Sequence, residues 1–81
     1  MTGFIGGGNM AGALIKGMSE VGMKDIMVSE PGQERRQFLE RTYGVRTTDS
    51  NTELVAACDI IILAVKPQIM EQVLQEITGL V

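Results

Sequence analysis

The sequence predicts an α/β fold: a small parallel sheet with helices on both faces, truncated to β-α-β-α-β-α-β-α. Three observations predict it. Short apolar runs alternate with helical patterns along the whole chain. A glycine turn, Gly6-Gly7-Gly8, joins the first apolar stub to the first helical pattern. The run Ile60 to Val65 is apolar at each position, as in a strand covered on both faces. Right-handed crossovers then give the strand order 3-2-1-4, a Rossmann-like arrangement without its fifth and sixth strands.

Each element follows from its residues. The first strand spans Thr2 to Ile5. The first helix runs from about Asn9 to Val21, with Met10, Ala11, Leu14, Ile15, Met18 and Val21 as its apolar stripe. Gly22 stops it, and Gly12 and Gly17 inside it imply close packing on the sheet. The second strand is Ile26 to Ser29. Pro31 and Gly32 break the chain before a surface helix from about Gln33 to Tyr43, anchored by Phe38, Leu39 and Tyr43 and ended by Gly44. The third strand is Val45 to Thr47. Ser50 and Glu53 form a capping box for a short helix from about Asn51 to Ala57. The fourth strand is Asp59 to Val65. Pro67 opens the last helix, whose stripe is Ile69, Met70, Val73, Leu74 and Ile77, and Gly79 ends it.

Composition narrows the function. The 81 residues carry a net charge of −3 with no block of like charge, which argues against nucleic acid and anionic membrane surfaces. The longest apolar run is too short to span a bilayer, and no secretory leader opens the chain. One cysteine and no histidine exclude an internal disulfide and a Cys/His metal site. Cys58 reads as a buried, inert thiol, and a cytoplasmic location fits.

The chemistry lies in the glycine turn. Gly6, Gly8 and Ala11 fit G-x-G-x-x-A, the form that seats a dinucleotide pyrophosphate. Gly6 permits the tight turn. Gly8 lets the backbone approach a phosphate, and Ala11 lets helix and strand pack closely. Gly7, Asn9 and Met10 complete the loop and the positive end of the helix. In such a sheet the ligand lies beyond the carboxyl ends of the strands, opposite Ala64, Val65, Lys66 and Pro67. Ser29 and Glu30 then fall near the adenosine ribose, and Asn51 shares that rim. Plainer readings exist: Glu30 as a solvated turn residue, Asn51 as a helix starter, Lys66 as a solvated charge. Glu30 favours NAD, because it accepts from a free ribose and repels a 2′-phosphate. Ser29 with Arg35 and Arg36 favours NADP, because they hold that phosphate. The sequence leaves this choice open.

Gly3-Phe4-Ile5-Gly6-Gly7-Gly8-Asn9-Met10-Ala11 and Ile62-Leu63-Ala64-Val65-Lys66-Pro67-Gln68 together resemble the N-terminal region of pyrroline-5-carboxylate reductases. Tyr43-Gly44-Val45 and Asn51 fall where that family has similar residues. The first stretch is shared with hydroxyacid dehydrogenases and deazaflavin-linked NADP reductases; the Ala-Val-Lys-Pro segment narrows the match. The resemblance implies reduction of 1-pyrroline-5-carboxylate to L-proline with NADPH or NADH. It implies that Gly6 to Ala11 hold the pyrophosphate, Asn51 the adenosine part, and Ala64 to Pro67 the nicotinamide side. It also implies a helical second domain for substrate contacts and dimerisation, absent from these residues. Glu30 departs from a position where the family often has a small hydroxyl residue.

The expectation is therefore the cofactor-binding part of a homo-oligomeric reductase, with no catalytic residue of its own and no turnover alone. The fourth strand, left as an edge, is expected to self-associate. Two other functions share these features: another NAD(P)-dependent reductase with the same half, and a non-catalytic NAD(P)-binding module.

Overall fold

The computed structural model describes residues 1–78. The elements run β1 (Thr2–Ile5), α1 (Asn9–Glu20), β2 (Ile26–Ser29), α2 (Gln33–Tyr43), β3 (Arg46–Thr48), α3 (Asn51–Ala57), β4 (Ile60–Leu63) and α4 (Pro67–Thr78). The strands form one sheet in the order β3-β2-β1-β4, parallel throughout. This is the expected architecture and strand order.

Side chains alternate across each strand, so the sheet has two cores. Phe4, Ile26 and Val28 face α1 and α2, where they meet Ala11, Ile15 and Leu39. Ile5 and Met27 face α3 and α4, where they meet Leu54, Val73 and Ile77. β1 has a neighbour on each side and is buried along its length. At Gly3 an added Cβ would stand 2.7 Å from a Leu54 methyl and 2.8 Å from the Cys58 sulfur. The absent side chain lets α3 lie against β1.

β4 differs from the sequence expectation in length and burial. It pairs Ile60–Leu63 with Thr2–Ile5, so its ladder is as short as β1. As the sheet edge it has one neighbour, and Ile60 is 60% exposed while Ile61, Ile62 and Leu63 are half-buried. The edge position is the expected one; the cover expected on both faces of the apolar run is only partial. β3 is shifted one residue from its expected span, because Arg46–Thr48 pair with Met27–Ser29 while Val45 turns into the core.

The helix ends follow their chemistry. α1 stops at Glu20, one residue before the expected end. Gly22 has φ 87°; its N–H donates to the Ser19 carbonyl at 3.1 Å, and Met23 N–H to that of Met18 at 2.9 Å. That pair of bonds is a Schellman motif. The buried seam of α1 is narrower than its apolar stripe: Ala11, Gly12 and Ile15 are buried, whereas Met10, Leu14 and Val21 are exposed. Gly12 does pack closely, but against Arg35 and not the sheet, and Gly17 faces open space. Gly44 ends α2 at φ 69°. Ser50 caps α3 by accepting from Glu53 N–H at 3.2 Å. The reciprocal arm of the capping box is replaced, since Ser50 N–H and Glu53 both bond the Thr48 hydroxyl at 3.1 Å. The expected stop at Gly79 lies outside the described residues. No helix among the described residues is long and apolar enough to cross a membrane.

Candidate functional site

The carboxyl ends of β1, β2 and β4 open onto a cleft of about 410 Å³. One wall is the turn Gly6-Gly7-Gly8; the other is Ala64-Val65-Lys66; Ser29, Glu30 and Asn51 close the rim.

Gly6 sets the turn. It has φ 103°, and an added Cβ would stand 2.6 Å from the Ala64 carbonyl oxygen. Its N–H donates to the Ser29 carbonyl at 2.8 Å, and Ala64 N–H donates to that of Ile5 at 2.8 Å. The loop is thereby fastened to β2 on one side while β4 continues past β1 on the other.

Gly8 is the N-cap of α1, with no side-chain cap and no acidic residue in the following turn. The first helical bond runs from Gly12 N–H to the Gly8 carbonyl at 3.0 Å. The N–H groups of Gly8, Asn9, Met10 and Ala11 precede it and lack a partner inside the helix. A Cβ on Gly8 would meet nothing within 4 Å. An uncapped positive helix end with open space before it fits a bound phosphate ester. Ala11 is fully buried under the loop. Asn9 and Met10 are exposed beside it.

Glu30 turns back toward the loop. Its Oε1 accepts from Gly7 N–H at 3.0 Å and its Oε2 from Gly32 N–H at 2.6 Å. The loop is braced from behind by Arg35. Its Nε donates to the Gly7 carbonyl and its Nη2 to the Gly8 carbonyl at 3.2 Å, with the guanidinium 4.7 Å above the Phe38 ring. Arg36 Nη1 donates to the carbonyls of Glu30 and Pro31, at 2.8 and 3.0 Å. Ser29 donates its hydroxyl to Asn51 Oδ1, and Asn51 Nδ2 donates to Glu76 at 3.4 Å. Asn51 therefore ties β2 to α4 as well as starting α3. Lys66 is exposed, and its carbonyl accepts from Ile69 and Met70 N–H at 2.9 and 3.1 Å, which starts α4 over Pro67.

Of the residues expected from sequence, Gly6, Gly7, Gly8, Ser29, Glu30, Asn51, Ala64, Val65 and Lys66 line the cleft together. Asn9, Met10, Ala11, Arg35 and Pro67 lie around it but not on its lining. Ile5, Pro31, Ile69 and Val73 also line it and were not foreseen. For Ile69 and Val73 the signal existed: they share the α4 stripe, and the first turns of that stripe overhang the strand ends.

The chain matches, over residues 1–80, the model of a family described as NADP oxidoreductase, coenzyme F420-dependent. A pyrroline-5-carboxylate reductase of Pseudomonas aeruginosa is 42% identical over 74 residues, covering 89% of this chain and 27% of the relative. One from Synechocystis is 38% identical over 80 residues, covering 95% and 30%. The structure of a pyrroline-5-carboxylate reductase from Coxiella burnetii superposes with a TM-score of 0.92 at 32% identity, over 98% of this chain and 30% of that one. This chain spans less than a third of the length of these relatives.

Proposed function

We propose that this chain, which belongs to the coenzyme-F420-dependent NADP oxidoreductase family, forms the cofactor-binding part of a pyrroline-5-carboxylate reductase. The cofactor is a nicotinamide dinucleotide. The whole protein would reduce 1-pyrroline-5-carboxylate to L-proline, as a cytoplasmic homo-oligomer.

One observation carries the reading: an uncapped, open helix end at Gly8 faces Ala64-Val65-Lys66 across one cleft. In this reading the N–H groups from Gly8 to Ala11 hold the pyrophosphate. Ser29, Glu30 and Asn51 receive the adenosine half. Ala64, Val65 and Pro67 give the nicotinamide an apolar flank, and Lys66 adds a cation at its edge. The cofactor supplies the hydride for the imine carbon; the protein fixes its position. The sequence has no histidine to act as a proton donor, and this reading gives Lys66 to the cofactor. Substrate contacts are assigned to the helical second domain that the resemblance implies. The chain is thus expected to bind cofactor without turnover.

Calorimetric titration with NADH and NADPH tests this. Saturable binding of at least one dinucleotide is expected, and Gly8→Val should abolish it by filling the space before α1. No binding of either by the folded chain overturns the proposal.

A further inference from the structure

We propose that Glu30 is a specificity-determining residue that makes this cleft select NADH over NADPH. The inference rests on the dinucleotide reading above and goes beyond it, since the family description names NADP. The Glu30 carboxylate lines the cleft and is held in place. Gly7 and Gly32 each donate an N–H to one of its oxygens, at 3.0 and 2.6 Å. Its stem lies against Gly7, where a Cβ would stand 3.0 Å from both Glu30 Cβ and Cγ. Turning the carboxylate away would leave the N–H of the buried Gly7 without this acceptor. Held by these two bonds, the side chain keeps its carboxylate at the rim of the cleft. Each oxygen keeps acceptor capacity for a ribose hydroxyl. A 2′-phosphate at the same place meets like charge with no donor from Glu30.

The two nearby arginines direct donors to backbone carbonyls and not into the cleft. Arg35 turns Nε and Nη2, two donors of its fork, to the Gly7 and Gly8 carbonyls. Arg36 turns Nη1 to the carbonyls of Glu30 and Pro31. Neither arginine lines the cleft. They shape the turn that presents Glu30, where the sequence allowed them to grip a phosphate.

The test is the ratio of dissociation constants for NADH and NADPH, measured calorimetrically on the full chain and on Glu30→Gln. That variant keeps the side chain's shape and an acceptor oxygen and removes the charge. The unsubstituted chain should bind NADH at least ~10-fold more tightly, and Glu30→Gln should bring the two within ~3-fold, chiefly by improving NADPH. Equal or tighter binding of NADPH by the unsubstituted chain overturns the inference and leaves the dinucleotide reading standing. Binding of neither overturns both. The ratio in the unsubstituted chain decides by itself if the variant does not fold.

Discussion

The Ala64 carbonyl oxygen stands 2.6 Å from where a Cβ on Gly6 would lie, and Gly6 itself has φ 103°. Conformation and contact both reserve the position for glycine, and the obstructing atom is backbone, which cannot rotate away. Gly8, two residues on, has open space and an ordinary φ of −75°. The two glycines of one motif therefore answer to different demands. Gly6→Ala should lower stability by about 2–3 kcal/mol. Gly8→Ala should stay within ~1 kcal/mol, the scale of a changed N-cap, yet weaken dinucleotide binding. Chemical denaturation and calorimetry on both variants check this. Equal stability losses would contradict the division.

Arg35 braces the loop through two carbonyls, so its replacement should act on both dinucleotides alike. Arg35→Lys loses the fork geometry while keeping the charge. Stability should fall by roughly 1 kcal/mol, discounted because the side chain is half-exposed. Affinities for NADH and NADPH should fall by the same factor. A loss confined to NADPH would show that Arg35 holds the 2′-phosphate instead.

How far the sequence carried depended on the range of the interaction. Gly44, Gly22 and Ser50 act within a few residues, and their stops and caps are readable locally. The roles of Gly6 and Ala11 follow from the motif because β1, turn and α1 are contiguous. The direction of Glu30 does not, because it is decided by N–H groups on both sides of it, one of them 23 residues away on Gly7. Arg35 meets Gly7 at a separation of 28 residues, so its charge was legible and its partner was not. For β4 the composition spoke of burial, but burial is set by how many neighbours the strand has. Hydrophobicity alone does not contain that number.

Gly3 makes a packing prediction independent of the cleft. A methyl group there would overlap Leu54 and Cys58. Gly3→Ala should lower stability by about 1–3 kcal/mol through overpacking and leave dinucleotide affinity unchanged in the folded protein. A neutral effect on the denaturation midpoint would mean that α3 moves away freely.

Cys58 is half-buried against that glycine, and burial, with smaller contributions from Asp59 and Asp25, raises its pKa despite the opposing N-terminal amine. Alkylation by iodoacetamide near neutral pH should be slow in the native protein, by about 10-fold against a free thiol, and become fast in denaturant. The stability effect has a definite sign. In the window between the unfolded and the raised folded pKa, the unfolded chain holds fewer protons than the native one. Stability therefore falls as pH rises through that window and is unaffected below it. Cys58→Ala should flatten this part of the stability profile. An unchanged profile would remove Cys58 as its source.

β4 leads to an association prediction. It has β1 on one side and no strand on the other among the described residues. Ile60 is 60% exposed, and Ile69 and Leu74 of α4 are 43% and 40% exposed. Among the described residues this edge is unpaired, and its four residues hold no proline or charge as a device against pairing. A two-fold axis beside β4 would set two copies antiparallel and join their sheets into one. Sedimentation velocity over a concentration series should show a reversible dimer. Ile60→Lys places a charge at the most exposed position of the strand and should restore the monomer without unfolding the chain. If the unsubstituted chain stays monomeric at millimolar concentration, the edge is protected by something other than its sequence.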